Sequence, residues 1–311
     1  MGRALPRGPR AAFRAAPVRV RVPATSANLG PGFDALGLAL GLHDDVVVRV
    51  ADEGLYVDVA GEGADSVPRT RRHLVVRALQ AGFEALGGQP RGLEVVCANR
   101  IPHSRGLGSS AAAIVAGLVA ARALVLRGED TLDDAALLGL AAELEGHPDN
   151  VAACLLGGLT LAWSPEGGPA TAVRLPVSPA LRPVVFLPAT TSSTAKARKL
   201  LPESVPHVDA ARNAARAALL VHALAAEPGL LLAATEDRLH QPYRAAVQAR
   251  TAGLVAALRE AGVPAVVSGA GPSVLAFAAP GDDLAGYAPR NWTCEVLAVD
   301  PAGAELLALA G

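Results

Sequence analysis

The residues best suited to chemistry stand in Pro102–Ala113, PHSRGLGSSAAA, where two glycines, two serines and a run of alanines follow one another. Gly106 and Gly108 let backbone N–H groups approach an anion with no Cβ in the way. Ser109 is placed to cap the helix that the alanines favour. A helix start carries roughly half a positive charge and several unpaired N–H donors, so the segment suits the phosphates of a nucleoside triphosphate. It is not a lysine-dependent phosphate loop, because the only lysines, Lys196 and Lys199, lie far downstream. No HRD or DFG tripeptide of the protein kinases occurs. Gly269–Val274, GAGPSV, opens like a dinucleotide fingerprint but lacks the third glycine and runs into a strand-like segment.

Four further stretches carry the residue types a phosphotransferase needs. In Ala24–Asp34, ATSANLGPGFD, the polar groups of Thr25, Ser26 and Asn28 can form a hydrogen-bonding rim, and Asp34 supplies a carboxylate. In Glu143–Ala152, ELEGHPDNVA, a helix ends at Gly146 and Pro148, and another starts with Asp149 or Asn150 as cap. It offers a carboxylate for Mg²⁺ beside an amide for a substrate. In Thr190–Leu201, Thr194 and Arg198 are four residues apart and share a helix face. Finally Arg244, in HQPYR, accompanies the glycine loop Ser268–Ser273. A guanidinium grips a carboxylate through two parallel bonds, which an ammonium does less specifically.

The elements that must position these groups alternate between strand and helix. Val18–Val22 alternates as a strand ending at Pro23, and short strands are expected at Leu36–Leu42, Val46–Val50, Leu55–Val59 and Leu93–Cys97. Helical spacing covers His73–Leu86, the segment from Ser109, and about Thr131–Glu145. After the turn Ser164–Pro169, strands are expected at Val184–Leu187, Ala265–Val267, Val274–Ala278 and Cys294–Val299. Helices are expected near Thr194–Leu201, Val208–Ala226, Gly229–Thr235 and Val247–Ala261. The class is α+β or α/β, and 311 residues suffice for two domains. A net charge of -1 and 3% aromatics give no platform for nucleic acid, so a small molecule is the expected partner. Cys97, Cys154 and Cys294 match no metal or disulfide spacing and read as reduced thiols of a cytoplasmic protein. The longest apolar run, Ala111–Leu126, is short for a bilayer and contains Arg122, so no membrane span is expected.

PHSRGLGSSAAA resembles the central signature of the GHMP kinases, and SGAGPSVLAF resembles their C-terminal motif. ATSANLGPGFD and EGHPDN narrow the resemblance to the homoserine kinase branch, and it extends over about Val18–Phe277. It implies an α+β, two-domain GHMP kinase fold, with an N-terminal half like domain 2 of ribosomal protein S5 and a ferredoxin-like C-terminal half. The expected division is 1–17 as a disordered basic extension, 18–165 as the ATP-binding domain and 166–311 as the C-terminal domain. The implied reaction is ATP-dependent phosphorylation of L-homoserine in threonine biosynthesis, with Mg²⁺.

Carried over by position, the ATP site comprises Pro102, His103, Ser104, Arg105, Gly106, Leu107, Gly108, Ser109, Ser110, Ala111, Ala112, Gly269 and Gly271. Ser110 with Glu145 or Glu143 holds the metal. Asn28, Asp34, Asn150, Thr194, Arg198 and Arg244 surround the amino acid, with Asn28, Asn150 and Arg198 at the reacting centre. Asp34 is expected on the substrate ammonium and the two arginines on its carboxylate. Whether Asp149 acts as a base stays open, and the working hypothesis is that none is needed, since positioning and charge stabilisation carry most of phosphoryl transfer. A homodimer is compatible with the resemblance. A kinase for another small alcohol, or a silent relative acting as a regulatory module, would share the fold.

Overall fold

The computed structural model describes residues 11–192 and 197–308. The first strand, β1 (Val18–Ala27), runs past Pro23 instead of ending there. It pairs antiparallel with one long strand, β2 (Leu36–Ala51), where two short strands were expected. Between the two segments stands a bulge rather than a turn: Pro23 faces His43 while Ala24 faces Leu40, leaving Gly41 and Leu42 of β2 unmatched, and His43–Asp45 keep the regular pairing. A bulge is one of the few places in a sheet that tolerates a residue without an N–H.

β3 (Gly54–Gly61), α1 (Leu74–Ala85) and β4 (Gly92–Asn99) follow, with β4 antiparallel to β2 and parallel to β3. Next come α2 (Ser109–Leu124), α3 (Asp134–Glu145), α4 (Asp149–Leu156), β5 (Leu159–Trp163) and β6 (Thr171–Leu175). Asp133 caps α3 by accepting from the Ala136 N–H at 2.8 Å, and Gly146 ends it in the left-handed region. Helix α2 is apolar on nearly every side and lies in the core, where Leu79 and Phe83 of α1 meet Ile114, Leu118 and Leu124, all essentially inaccessible to solvent. Each such side chain contributes about 1.5–3 kcal/mol by leaving water. This packing fixes the N-terminus of α2 at the edge of the core.

The second half supplies β7 (Pro183–Pro188), α5 (His207–Ala225), α6 (Leu231–Ala234), α7 (Gln241–Arg244), α8 (Ala249–Glu260), β8 (Ala265–Val267), β9 (Val274–Phe277), β10 (Trp292–Val296) and β11 (Glu305–Leu307). Four of these strands form an antiparallel sheet in the order β10-β7-β9-β8. The larger sheet runs β11-β1-β2-β4-β3, with β5 on β2 and β6 on β5.

Three features correct the sequence reading. Strands β5, β6 and β11 were not foreseen, and the turn Ser164–Pro169 joins two strands of one sheet. Because β6 and β11 belong to the larger sheet, that sheet takes strands from both sides of the 165/166 division. Nor is the basic arm disordered where it is described: Arg14 N–H donates to Leu124 O, Leu126 N–H to Ala12 O, and the Phe13 ring meets Phe83 edge-on at 5.4 Å.

Candidate active site

The phosphate loop turns through positive φ at Ser104 (56°), Gly106 (78°) and Gly108 (69°) before entering α2. The helix cap is Gly108, and Ser109 is its first residue and makes no capping bond, contrary to expectation. A Cβ on Gly106 would strike Ser268 O and approach Gly271 O to 3.0 Å, so only glycine permits the two loops to touch. Two bonds hold them together: Ser268 Oγ donates to Gly106 O (2.6 Å) and Ser273 N–H to Arg105 O (3.4 Å). A third ties the phosphate loop to β1, where Thr25 N–H donates to Leu107 O (3.1 Å). At the start of the loop the buried Asp44 accepts from the N–H groups of Arg100 and Ile101, at 2.6 and 2.8 Å.

Beside this loop lies a cavity of about 800 Å³. The residues that line it include Ser104, Gly106, Gly108, Ser109, Ser110 and Gly269 of the two glycine loops and α2, together with Asn28, Asp34, Glu145, Asn150, Arg198 and Arg244. A narrower cavity of about 240 Å³ adjoins it and adds His103 and Ala112. Pro102, Arg105, Leu107, Ala111 and Gly271 line neither space; Gly271 is packed against Gln248. Thr194 lies outside the described residues.

Ser110 Oγ donates to Glu145 Oε2 at 2.6 Å. Burial pushes the Glu145 carboxyl above the ordinary glutamate range, a cost that a neighbouring cation would offset. Glu143, by contrast, is exposed and does not line the cavity. Helix α4 starts at Asp149 itself, after Pro148, rather than being capped by it. Asp149 is 2% exposed and accepts from the Asn150 N–H (2.7 Å), with His147 Nδ1 2.8 Å away. That contact with Asp149 raises the His147 pKa.

Asn28 holds the acceptor end together. Its Nδ2 donates to Gly269 O and its Oδ1 accepts from the Asp34 N–H, both at 2.9 Å. Thr25 and Ser26, expected beside it at the rim, are fully buried, and Ser26 Oγ lies 2.8 Å from Ser268 Oγ. Asp34 accepts from both terminal nitrogens of Arg198, at 2.9 and 2.8 Å. That ion pair was not foreseen, and it places the two expected readers of a zwitterion against each other.

Arg244 differs: it is 3% exposed and makes no salt bridge to a carboxylate among the described residues. Burial and then the nearby Arg198 lower its pKa, yet a guanidinium stays protonated in proteins. Its Nη1 lies 3.1 Å from His240 Nδ1, while His240 Nε2 lies 2.9 Å from Gly30 O. Burial depresses the His240 pKa, so the ring is neutral, with Nε2–H donating to the carbonyl and Nδ1 accepting from Arg244. Phe33 stacks on His240 at 5.0 Å and lies under both guanidiniums, at 5.7 Å from Arg198 and 5.6 Å from Arg244. Sequence reasoning missed Phe33, His147, His240 and Gln248. Phe33 and His147 stand inside the segments ATSANLGPGFD and EGHPDN, and His240 precedes Arg244 by one helical turn in HQPYR, but their residue types gave no role there.

An anion cradle at a helix start, a carboxylate-hydroxyl pair beside it and a buried cation in the same cavity, with no carboxylate partner among the described residues, suit a phosphotransferase. Among the described residues no helix is long and apolar enough to cross a membrane. Residues 73–158 match the family model described as GHMP kinases N terminal domain, and residues 220–288 match GHMP kinases C terminal. Homoserine kinases of Streptomyces avermitilis and Streptomyces coelicolor are each 64% identical over 301 residues, spanning 96% of this chain and 98% and 97% of their own lengths. The crystal structure of homoserine kinase from Cytophaga hutchinsonii matches with a TM-score of 0.83 at 27% identity, over 95% of this chain and 98% of that one. L. major mevalonate kinase shares the fold at a TM-score of 0.69 and 18% identity, over 94% of this chain and 99% of that one. The chain belongs to the GHMP kinases, within their homoserine kinase family.

Proposed function

We propose that this kinase transfers the γ-phosphoryl group of ATP to the side-chain hydroxyl of L-homoserine, giving O-phospho-L-homoserine and ADP. One observation carries the choice of acceptor: the buried Arg244 guanidinium and the Asp34 carboxylate share one cavity with the phosphate loop. A zwitterionic amino acid offers an anion to the first and a cation to the second, which a neutral sugar does not. Such a substrate competes with the Asp34–Arg198 pair by offering each partner a substitute.

In the transfer, the hydroxyl oxygen bonds to the γ-phosphorus, the bond from that phosphorus to the β-phosphate oxygen breaks, and the hydroxyl proton is released. The α2 N-terminus and the loop N–H groups hold the phosphates. The narrower cavity, whose lining includes Val46, Val67, Leu74 and Ala112 beside polar groups such as Asn99 and His103, would receive the nucleobase. Ser110 and Glu145 fit Mg²⁺, which binds proteins through one or two oxygen ligands and takes the rest from phosphates and water. When bound, the ion neutralises phosphate charge. Asp149, with Oδ1 committed to His147 and the Asn150 N–H, has a positioning role.

The test is ADP release from ATP with L-homoserine, mevalonate or galactose as acceptor, with and without Mg²⁺. Mg²⁺-dependent turnover on homoserine alone is expected. A folded sample that turns over mevalonate or galactose faster overturns the assignment.

A further inference from the structure

Thr25 is fully buried near the end of β1 and touches both halves of the site. Its N–H donates to Leu107 O of the phosphate loop, and its hydroxyl fills the space that a Cβ on Gly108 would need. The same hydroxyl lies 2.7 Å from Oδ1 of Asn150, which faces the cavity from the first turn of α4.

Charge sets the direction of that bond. The other terminal atom of the Asn150 amide lies 3.4 Å from Asp149 Oδ1. An NH₂ group is attracted to a carboxylate oxygen there, whereas an amide oxygen would be repelled. Nδ2 therefore faces Asp149, Oδ1 faces Thr25, and the threonine hydroxyl is the donor. Of the two N–H bonds on Nδ2, one is directed at Asp149 and the second has no partner among the described residues.

We propose that Thr25 is a positioning residue for phosphoryl transfer. Its hydroxyl locks the Asn150 amide so that an N–H is presented to the acceptor hydroxyl, and its contacts with Leu107 and Gly108 tie that orientation to the phosphate loop. The inference rests on the homoserine kinase reading and adds to it a defined role for Asn150. With its oxygen engaged by Thr25, Asn150 serves the acceptor as a hydrogen-bond donor. One side chain thus couples the place where phosphate is held to the place where the attacking oxygen is held, and misplacement by about 1 Å between such groups costs about a hundredfold in rate.

The experiment compares Thr25→Ser with Thr25→Ala, which remove the same methyl and differ only in the hydroxyl. Steady-state kinetics with L-homoserine are measured on samples shown to be folded by circular dichroism. Thr25→Ser is expected within about threefold of the unaltered kcat, and Thr25→Ala about 10–100-fold below it. KM for homoserine should change by less than about threefold, since its charged groups are held elsewhere. In an Asn150→Ala background the two Thr25 variants should have equal kcat, because the residue through which the hydroxyl acts is gone. Equal losses for serine and alanine, or a full alanine penalty on top of Asn150→Ala, overturn the proposal. Thr25→Val, of the same shape, replaces Thr25→Ala if the latter does not fold. Failure of the unaltered protein to turn over homoserine is a separate outcome and counts against the kinase reading itself.

Discussion

The two ends of the cavity are built from different materials. The phosphate end is backbone: the carbonyls of Arg105, Gly106 and Leu107 and the N–H groups of Arg100 and Ile101 are each held by a neighbour, and glycines allow the loops to touch. The acceptor end is made of side chains drawn from Asp34, Asn150, Arg198 and Arg244, two of them paired and one buried with no carboxylate partner among the described residues. Phosphate is common to every nucleoside triphosphate, so fixed N–H groups at a helix start suffice for it. Choosing one acceptor requires charges held out of water, where an unmet charge is costly until substrate arrives. The phosphate end therefore couples function to folding, while the acceptor end trades one against the other.

The largest expected effect is Gly106→Ala. The methyl would collide with Ser268 O, and the backbone would keep a non-glycine residue at φ +78°. Overpacking and the left-handed conformation together cost about 2–4 kcal/mol, which lowers Tm by about 3–6 °C in a chain of this size. Activity should fall with both substrates. A variant that melts like the unaltered protein would break the comparison at its phosphate end.

Arg244→Met should separate what Gly106→Ala joins. Losing a buried guanidinium that binds a carboxylate lowers kcat/KM for homoserine by about 10²–10³-fold, while KM for ATP stays within about threefold. Tm should hold or rise, since the substitution removes a buried charge that has no carboxylate partner among the described residues. A fall in Tm like that of Gly106→Ala would erase the distinction. Smaller again is the pair Glu145→Gln and Glu143→Gln. The first should raise the Mg²⁺ concentration for half-maximal activity by at least about tenfold. The second, out of the cavity and exposed, should leave it unchanged.

The same contrast explains what could be read from the sequence. The phosphate loop is one contiguous segment whose glycines and serines state its geometry locally, so Pro102–Ala113 could be singled out as a candidate anion cradle from its residue types. The acceptor end depends on convergence: Asn28 meets Gly269 across 241 positions, and His240 meets Gly30 across 210. Residue types named Asp34, Arg198 and Arg244 as candidates, but nothing local tells that two of them pair while the third is buried against His240. His240 escaped notice because a lone buried histidine has no pattern, and its role comes from a carbonyl in another part of the chain. The fold divides likewise. Helices α1 and α5 were legible from their period, whereas β11 owes its existence to the edge of β1, and the break within β2 was a bulge dictated by its partner.

The smallest effect concerns how the phosphate loop is anchored. Asp44 is 5% exposed, and burial raises its carboxyl above the ordinary aspartate range despite the Arg100 and Ile101 N–H bonds that favour the anion. The folded chain therefore keeps a proton over an interval in which the unfolded chain has released it. Stability must fall as pH rises through that interval, the reverse of an aspartate held by a salt bridge. Asp44→Asn keeps an acceptor for the two N–H groups but does not ionise. Urea unfolding at a series of pH values should show the variant gaining on the unaltered protein as pH rises from the ordinary aspartate pKa through the raised one, with KM for ATP nearly unchanged. Parallel stability profiles would mean that the carboxylate is not strained by its burial. A large rise in KM for ATP would mean that charge, and not backbone geometry alone, shapes the phosphate end.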